Sequence, residues 1–350
     1  MNPEITASPG LVTSSPAMGG RLARGLAHIF FVVLALIASL MTLWAIAALH
    51  FDFRVAWLRS PLAAIYLVAV LAAWIWLTGR WLKLGITGAG FVLVLGWWLT
   101  LRPSNNRDWQ PDVATLAYAE TNGTQVTVHN IRNCDYRSET EFNVRVYDKV
   151  FDLERLSSAD LYMVYWGSPN ICHTMVSFGF DGGGYLCFSI ETRKANGQGY
   201  SAIKGLFRQF ELAYVVADER DLVRLRTNYR KGEEVYLFRL KASREQVRSL
   251  FLDYLRRLNA LHEAPEWYSA VTHNCTTSIR NQRAASDRAP RDWRMLFNGH
   301  GDELLYERGA ISTNLPLAEL KERCHINERA KAAGDAPDFS ELIRKGVPGI

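Results

Sequence analysis

Cysteine is scarce in this sequence, and its spacing excludes two kinds of site. The 350 residues contain 5 Cys, and no two of them form a C-x-x-C pair. Closely spaced cysteines and histidines are typical of zinc sites, so we expect no metal, and no motif indicates another cofactor. The odd number also excludes a fully paired disulfide framework, so in an oxidising compartment at least one thiol is free or pairs between chains. The cysteines are Cys134, Cys172, Cys187, Cys275 and Cys324.

Excess positive charge is almost absent from most of the chain. The formal net charge is +5, of which residues 1–101 contribute +4, from 6 basic and 2 acidic residues. The remaining 34 basic and 33 acidic residues contribute only +1. A nucleic-acid-binding domain needs a basic patch on its folded surface, so nucleic-acid binding is excluded.

Long hydrophobic runs are abundant, but only before residue 102. The runs 25–49, 61–78 and 84–101 contain no Asp, Glu, Lys or Arg, and each is long enough to cross a bilayer. A cleavable signal peptide is the alternative for the first run, but that run exceeds a signal core and two more runs follow. We therefore expect a disordered cytosolic tail over 1–20 and three transmembrane helices within 21–101.

The charges in the short loops predict the orientation. Arg21 and Arg24 precede the first helix, and Arg80 and Lys83 lie in the second loop. Under the positive-inside rule these residues are cytosolic, although two arginines in the first loop weaken the bias. Three crossings then place everything after residue 102 outside. The sequence predicts a multi-pass protein of the bacterial inner membrane with a periplasmic catalytic domain.

The periplasmic part has the pattern of an α+β domain. A linker is expected over 102–122, a catalytic domain over 123–285 and a helical C-terminal extension over 286–350. The helix predicted over 244–262 begins with a capping box of Ser243 and Gln246. Runs of β-branched and aromatic residues predict one antiparallel sheet, with strands over 124–131, 142–150, 160–166, 171–180, 185–191, 212–217, 222–227 and 234–240.

Two motifs have plain structural explanations. The glycines at 182–184 follow Asp181 between two strand patterns and indicate a hairpin turn, because no helix follows to make them a phosphate loop. The charged run 218–221 suggests metal binding or acid–base work, but it is more typical of a surface turn with ion pairs.

Cys275 is the candidate nucleophile. It follows Asn274, and either this residue or a neighbouring threonine can cap a helix that places the thiol in its first turn. The unpaired N–H groups and the dipole of a helix start favour a thiolate and can stabilise an oxyanion. A small buried cysteine is the alternative, which the local sequence does not exclude.

His173 is the candidate base, on the strand predicted over 171–180. In a hairpin folded at 182–184, residues whose numbers sum to about 365 face one another, which places His173 opposite residues 191–193. Glu191 is then suited to accept the imidazole N–H and orient the ring. Because the register is uncertain by two residues, Ser189 and Arg193 are alternatives. His273 is a rival base, and a histidine that only packs is a further alternative.

Several of these segments together resemble the Lnb-type periplasmic domain family. They cover about residues 120–285 in one consistent order, at 130–137, 165–169, 173–178, 188–193, 217–221, 225–230 and 274–277. The resemblance implies a circularly permuted papain-like (NlpC-type) fold, in which a histidine on a strand precedes a cysteine at a helix start. The order of His173 and Cys275 agrees with it.

The resemblance also implies an activity, because some members are lipoprotein N-acyltransferases. Cys275 would take an acyl chain from a membrane phospholipid as a thioester and pass it to the N-terminal amine of a lipoprotein. His173 would deprotonate the thiol and then the amine, with Glu191 orienting the ring. The alternatives are a cysteine peptidase or amidase acting on envelope peptides, and a non-enzymatic envelope protein in which Cys275 is structural.

Overall fold

Three long helices form the first of two units into which the chain divides, at Leu101. The computed structural model describes residues 17–269, 290, 292–295 and 298–350. Helices α1 (Ala17–Asp52), α2 (Ala56–Trp76) and α3 (Arg80–Leu99) are long and apolar enough to cross a membrane. The three predicted membrane segments are confirmed in length and composition. Helix α1 also extends into the predicted tail, since it begins at Ala17.

The second unit, residues 102–350, is built on a mixed sheet. Its principal strands lie in the order β1-β2-β9-β8-β7-β6-β10, with β5 paired to β2, and only the β2–β9 pair is parallel. Strands β3 and β4 form a separate small ribbon. The strands are β1 (Tyr118–Asn122), β2 (Gln125–Arg132), β3 (Asp135–Tyr136), β4 (Phe142–Asn143), β5 (Val146–Asp152), β6 (Leu156–Trp166), β7 (Ser168–Phe180), β8 (Gly184–Arg193), β9 (Glu211–Ala217) and β10 (Glu233–Arg239).

One amphipathic helix completes the main core. The described helices that follow α3 are α4 (Glu219–Arg224), α5 (Arg244–Glu263), α6 (Gly301–Glu307), α7 (Leu317–Cys324), α8 (Asn327–Ala333) and α9 (Phe339–Leu342). The predicted capping box starts α5: the Ser243 hydroxyl accepts from the Gln246 N–H, and the Gln246 side chain accepts from the Ser243 N–H. Phe251 on α5 packs against Phe178 at 5.0 Å between ring centroids. The predicted α+β class is confirmed.

The β7–β8 hairpin sets the geometry of the candidate site. Gly182 and Gly184 adopt φ of 64° and 79°, which other residues rarely reach, so the turn needs glycine at both positions. Met175 pairs with Ser189, so facing residues sum to 364, and continuing this register places His173 opposite Glu191. The register expected from the turn is confirmed.

The sequence predicts a surface turn over 218–221 and a strand over 222–227, and the structure differs from both predictions. These residues form α4 and a π-helical turn, Leu225–Tyr229, and Glu219 and Asp221 are buried. The Asp221 carboxylate accepts two hydrogen bonds from Arg132, at 2.7 and 2.9 Å. Ion pairs with distant residues therefore override the strand propensity of this segment.

The predicted linker and C-terminal extension are parts of the folded unit. Within 102–122, Trp109 is buried, with the Arg107 and Arg193 guanidinium groups 5.2 and 4.2 Å from its ring centre, and Tyr118–Asn122 is strand β1. At the other end, Asn327 binds the edge of β10, where its Oδ1 accepts from the Val235 N–H at 2.8 Å. Pairing that edge protects it from association with other chains.

Candidate active site

His173 lies near the middle of β7, at the wall of a cavity of about 350 Å³. Its imidazole is mostly covered, with 13% of the side chain exposed. Trp166, Ile171, Tyr200 and Tyr268 provide apolar and aromatic lining. A partly covered imidazole that borders a cavity can meet a substrate, whereas a histidine packed in the core cannot.

A hydroxyl joins His173 to Glu191. The His173 Nε2 lies 2.7 Å from the Ser189 Oγ, and the Ser189 hydroxyl donates to the Glu191 Oε1, also at 2.7 Å. The direct distance from Nε2 to that carboxylate oxygen is 3.8 Å. The structure therefore brings His173 and Glu191 together as predicted, but with Ser189 between them.

This chain of hydrogen bonds determines the tautomer of His173. An ionised carboxylate can only accept, so the single Ser189 hydroxyl proton points at Glu191. The Ser189 oxygen must then accept a proton from His173, which places the imidazole N–H on Nε2. The lone pair of the neutral ring is left on Nδ1, and Nδ1 is therefore the nitrogen that can remove a proton from a nucleophile.

Arg226 holds the Glu191 carboxylate in place and connects it to Glu233, which Arg230 also binds. Arg226 Nη2 donates to Glu191 at 3.2 Å, and its Nη1 donates to Glu233, also at 3.2 Å. Arg230 donates to the other oxygen of Glu233 at 3.3 Å. Both arginines and Glu233 line the cavity with His173. The π-helical turn that replaces the predicted strand carries Arg226 and thus supplies the support for Glu191.

Burial and the surrounding charges together determine which protonation states are favoured. Burial, reinforced by the Arg226 guanidinium, lowers the pKa of His173 from 6.5 to about 3, although Glu191 acts in the opposite direction. Burial alone would raise the pKa of Glu191, but Arg226 and His173 outweigh it and hold that pKa below its usual range. At neutral pH the site therefore contains a carboxylate and a neutral imidazole, the form of histidine that acts as a base.

Asn298 clamps the strand just before His173. Its Oδ1 accepts from the Cys172 N–H at 3.0 Å, and its Nδ2 donates to the Cys172 carbonyl at 2.7 Å. The side-chain amide thus pairs with Cys172 as a neighbouring strand would. The next residue, Gly299, lies so close to β7 that a Cβ there would collide with the Pro169 carbonyl oxygen. Gly299 is required for this contact.

Cys275, the predicted nucleophile, and His273, the rival base, lie outside the described residues. Among the four described cysteines, Cys172 is 2% exposed and its thiol donates to the Asn298 carbonyl at 3.2 Å. The other three are buried thiols with raised pKa values. Burial raises the pKa values of Cys134 and Cys324 to about 12, and that of Cys187 well above its usual value. Thiols with raised pKa values are poor nucleophiles. Cys275 therefore stays the candidate.

Sequence reasoning weighed Ser189 only as a substitute for Glu191 and missed Arg226 and Asn298. Ser189 could have been found from strand alternation, because it shares a face of β8 with Glu191.

In the described ranges, no group of three or more His, Cys, Asp or Glu side chains is arranged to hold a metal ion. The expectation of no metal and no cofactor stays a prediction.

The comparisons with known proteins agree with the resemblance drawn from the sequence. No curated protein and no solved structure matches the chain. The family model described as the Lnb N-terminal periplasmic domain matches residues 143–299, a range that contains His173, Ser189, Glu191 and Asn298. With its three candidate spans, the chain is a membrane protein with a periplasmic, envelope-associated domain. Residues 143–299 thus match the Lnb N-terminal periplasmic domain family, the family that the sequence motifs indicate.

Proposed function

We propose that the protein is an inner-membrane thiol acyltransferase in which Cys275 is the nucleophile and His173 its base. The observation that carries the proposal is the His173–Ser189–Glu191 chain of hydrogen bonds at the wall of a cavity. A neutral imidazole held in one tautomer by a carboxylate is the arrangement by which cysteine and serine enzymes prepare a base. The family match supports the periplasmic location of this chemistry.

The first half-reaction forms a thioester. His173 Nδ1 removes the proton of the Cys275 thiol, and the thiolate attacks the ester carbonyl of a phospholipid. As the tetrahedral intermediate collapses, the bond to the glycerol oxygen breaks and the imidazolium returns its proton to that oxygen. The products are an acyl-thioester on Cys275 and a lysophospholipid. Glu191 stabilises the transient imidazolium through Ser189.

The second half-reaction transfers the acyl chain. The N-terminal amine of a lipoprotein attacks the thioester carbonyl, and His173 takes the proton that the amine loses. The amide bond forms as the carbon–sulfur bond breaks, and the imidazolium returns the proton to the sulfur. The enzyme regains its thiol, and no cofactor is consumed.

The membrane helices favour acyl transfer over hydrolysis of soluble peptides. A phospholipid donor and a lipid-anchored acceptor stay at the bilayer, so an enzyme fixed there meets both at a high effective concentration. A peptidase or amidase would use the same residues with water or a peptide as its substrate. A non-enzymatic envelope protein would need neither the orientation of His173 nor the cavity beside it.

The test is to observe the acyl-enzyme. The full chain is reconstituted in phosphatidylethanolamine–phosphatidylglycerol nanodiscs with a diacylglyceryl lipopeptide that has a free N-terminal amine. Mass spectrometry is expected to detect an acyl adduct on Cys275 and an N-acylated lipopeptide, and to detect neither in Cys275→Ser. Cleavage of muropeptides with no acyl adduct would overturn acyl transfer in favour of the hydrolase. Envelope function that persists in stably expressed Cys275→Ser and His173→Ala would overturn both enzymatic proposals.

A further inference from the structure

The segment between β8 and β9 exposes a group of large apolar side chains. Tyr200 is 53% exposed, Ile203 is 60% exposed and Leu206 is 52% exposed. They lie within a stretch of seven residues that ends in a short 3-10 turn, Lys204–Leu206. We call residues 200–206 the apolar loop. Several large apolar side chains that are exposed together commonly mark an interaction surface.

The base of the apolar loop is held by the chain that has just left the membrane helices. Before the loop, the Lys194 carbonyl accepts from the Gln110 N–H at 2.9 Å. After it, Glu211 forms an ion pair with Arg107 at 2.7 Å. Helix α3 ends at Leu99, so these contacts come from residues that follow it closely in the chain. The loop is therefore braced at both ends by the segment that tethers the domain.

Further bonds make this brace firm. The Asn196 N–H donates to the Asp108 carbonyl at 2.8 Å, and the Gln110 side chain donates to the Gln198 carbonyl at 2.7 Å. Trp109, between Asp108 and Gln110 in the sequence, is buried, with the Arg193 guanidinium 4.2 Å from its ring centre. The loop cannot move away from residues 105–110 without breaking these contacts.

The apolar loop also borders the candidate active site. Tyr200 and Ala202 line the same cavity as His173, Arg226 and Lys194. One segment therefore combines exposed apolar side chains, a brace on the membrane tether and a wall of the cavity.

We propose that the apolar loop docks on the outer surface of the lipid bilayer, with Ile203 and Leu206 among the acyl chains and Tyr200 at the interface. Tyrosine favours the headgroup region, and Lys204 within the loop is suited to anionic headgroups. A bilayer is favoured over a protein partner because residues 104–110 fix the loop to the chain's own membrane tether. Because Tyr200 and Ala202 also line the cavity, docking of the loop would bring one wall of the cavity to the lipid surface.

The test uses the full chain carrying Cys275→Ser, so that docking is measured apart from the proposed chemistry. A photo-crosslinking phenylalanine analogue replaces Ile203 in one protein and Val150 in its matched control. Val150 lies on β5 and is 56% exposed, close to the exposure of Ile203. Both proteins are illuminated in phosphatidylethanolamine–phosphatidylglycerol nanodiscs, and phospholipid adducts are measured by mass spectrometry.

We expect lipid adducts at position 203 and only background at position 150. With the crosslinker at Tyr200, Ile203→Asp is expected to lower the lipid adduct about tenfold, the effect of losing one buried aliphatic side chain. The matched variant Val150→Asp should leave that adduct unchanged. Equal lipid yields at 203 and 150, or adducts at 203 only to another polypeptide, would overturn the proposal.

Discussion

Two arginine-centred networks in the periplasmic unit differ in how completely their side chains are buried and paired within the protein. Arg344 lies in the core and donates to Asp160 and Glu219 at 2.7 to 3.0 Å, and these three side chains are at most 3% exposed. Arg226 lies at the cavity and donates to Glu191 and Glu233 at 3.2 to 3.4 Å. The Glu191 side chain is 22% exposed. The core network is closed, whereas the cavity network has room for a further group.

The difference separates a structural network from a functional one. In the core, Arg344 donates to both oxygens of the Glu219 carboxylate, and Tyr162 also donates to one of them. Both Glu219 oxygens are therefore engaged within the protein. At the cavity, Glu191 accepts from Ser189, and through Ser189 it acts on a titratable ring. Buried charges alone therefore do not indicate a site. A charge that is relayed to a histidine beside a cavity does.

The largest expected effect on stability lies in the closed network. Arg344→Met leaves Glu219 buried without its arginine and leaves Asp160 paired with Arg239 alone, so we expect a loss of about 3–5 kcal/mol. Arg226→Met should cost less, about 1–3 kcal/mol, because its carboxylates border the cavity. Chemical denaturation of the full chain in detergent measures both.

The control for these variants is Arg244→Met, which removes an exposed pair with Asp181 at 2.8 Å. Its expected cost is at most about 1 kcal/mol. If Arg344→Met and Arg226→Met cost the same, the distinction between a closed and an open network fails.

A smaller effect, on the reactivity of Cys275, is expected when the Ser189 hydroxyl between His173 and Glu191 is removed. Ser189→Ala removes the acceptor of the Nε2 proton, and we expect Cys275 to react about tenfold more slowly, the effect of losing one hydrogen bond. The matched control is Ser157→Ala, which removes a hydroxyl bonded to the Gly179 carbonyl at 3.2 Å. Labelling of Cys275 by a thiol-reactive acyl probe measures both rates. A Ser189→Ala variant as reactive as the control would show that the relay has no role.

The smallest expected effect concerns His173, whose imidazole should not titrate near neutral pH. The pKa of His173 lies at about 3, below the usual value of 6.5, because burial and Arg226 disfavour the imidazolium. Its contribution to stability is thus present above pH 6.5 and is lost as the pH falls toward 3. In ¹⁵N-histidine NMR of the full chain in nanodiscs, the signal assigned through His173→Gln should keep the Nε2–H pattern from about pH 5 to 8. A midpoint near 6.5, or an Nδ1–H tautomer, would contradict this description.

The sequence predicted best what depends on local patterns. The three membrane segments follow from uninterrupted apolar runs, and the start of α5 follows from Ser243 and Gln246. The pairing of His173 with Glu191 follows from the glycine turn, since strand register is fixed once a hairpin turn is located.

The features that it missed depend on contacts between distant residues. Residues 218–221 have the pattern of a surface turn and residues 222–227 have strand propensity, but Asp221 binds Arg132 and Glu219 binds Arg344, and these ion pairs exist only in the folded unit. The clamp of Asn298 on Cys172 depends on the close approach that Gly299 permits. No local pattern predicts such contacts.

The central claim is that His173 activates Cys275, and the rate of Cys275 modification tests it most directly. The full chain in nanodiscs is treated with a thiol-reactive acyl probe, and wild type is compared with His173→Ala and His129→Ala. His129 is a control because it pairs with the exposed Asp148 at 2.7 Å and does not line the cavity. We predict that His173→Ala slows the reaction about 10²- to 10⁴-fold, the usual contribution of a general base, and that His129→Ala does not. Equal rates in wild type and His173→Ala would contradict the account.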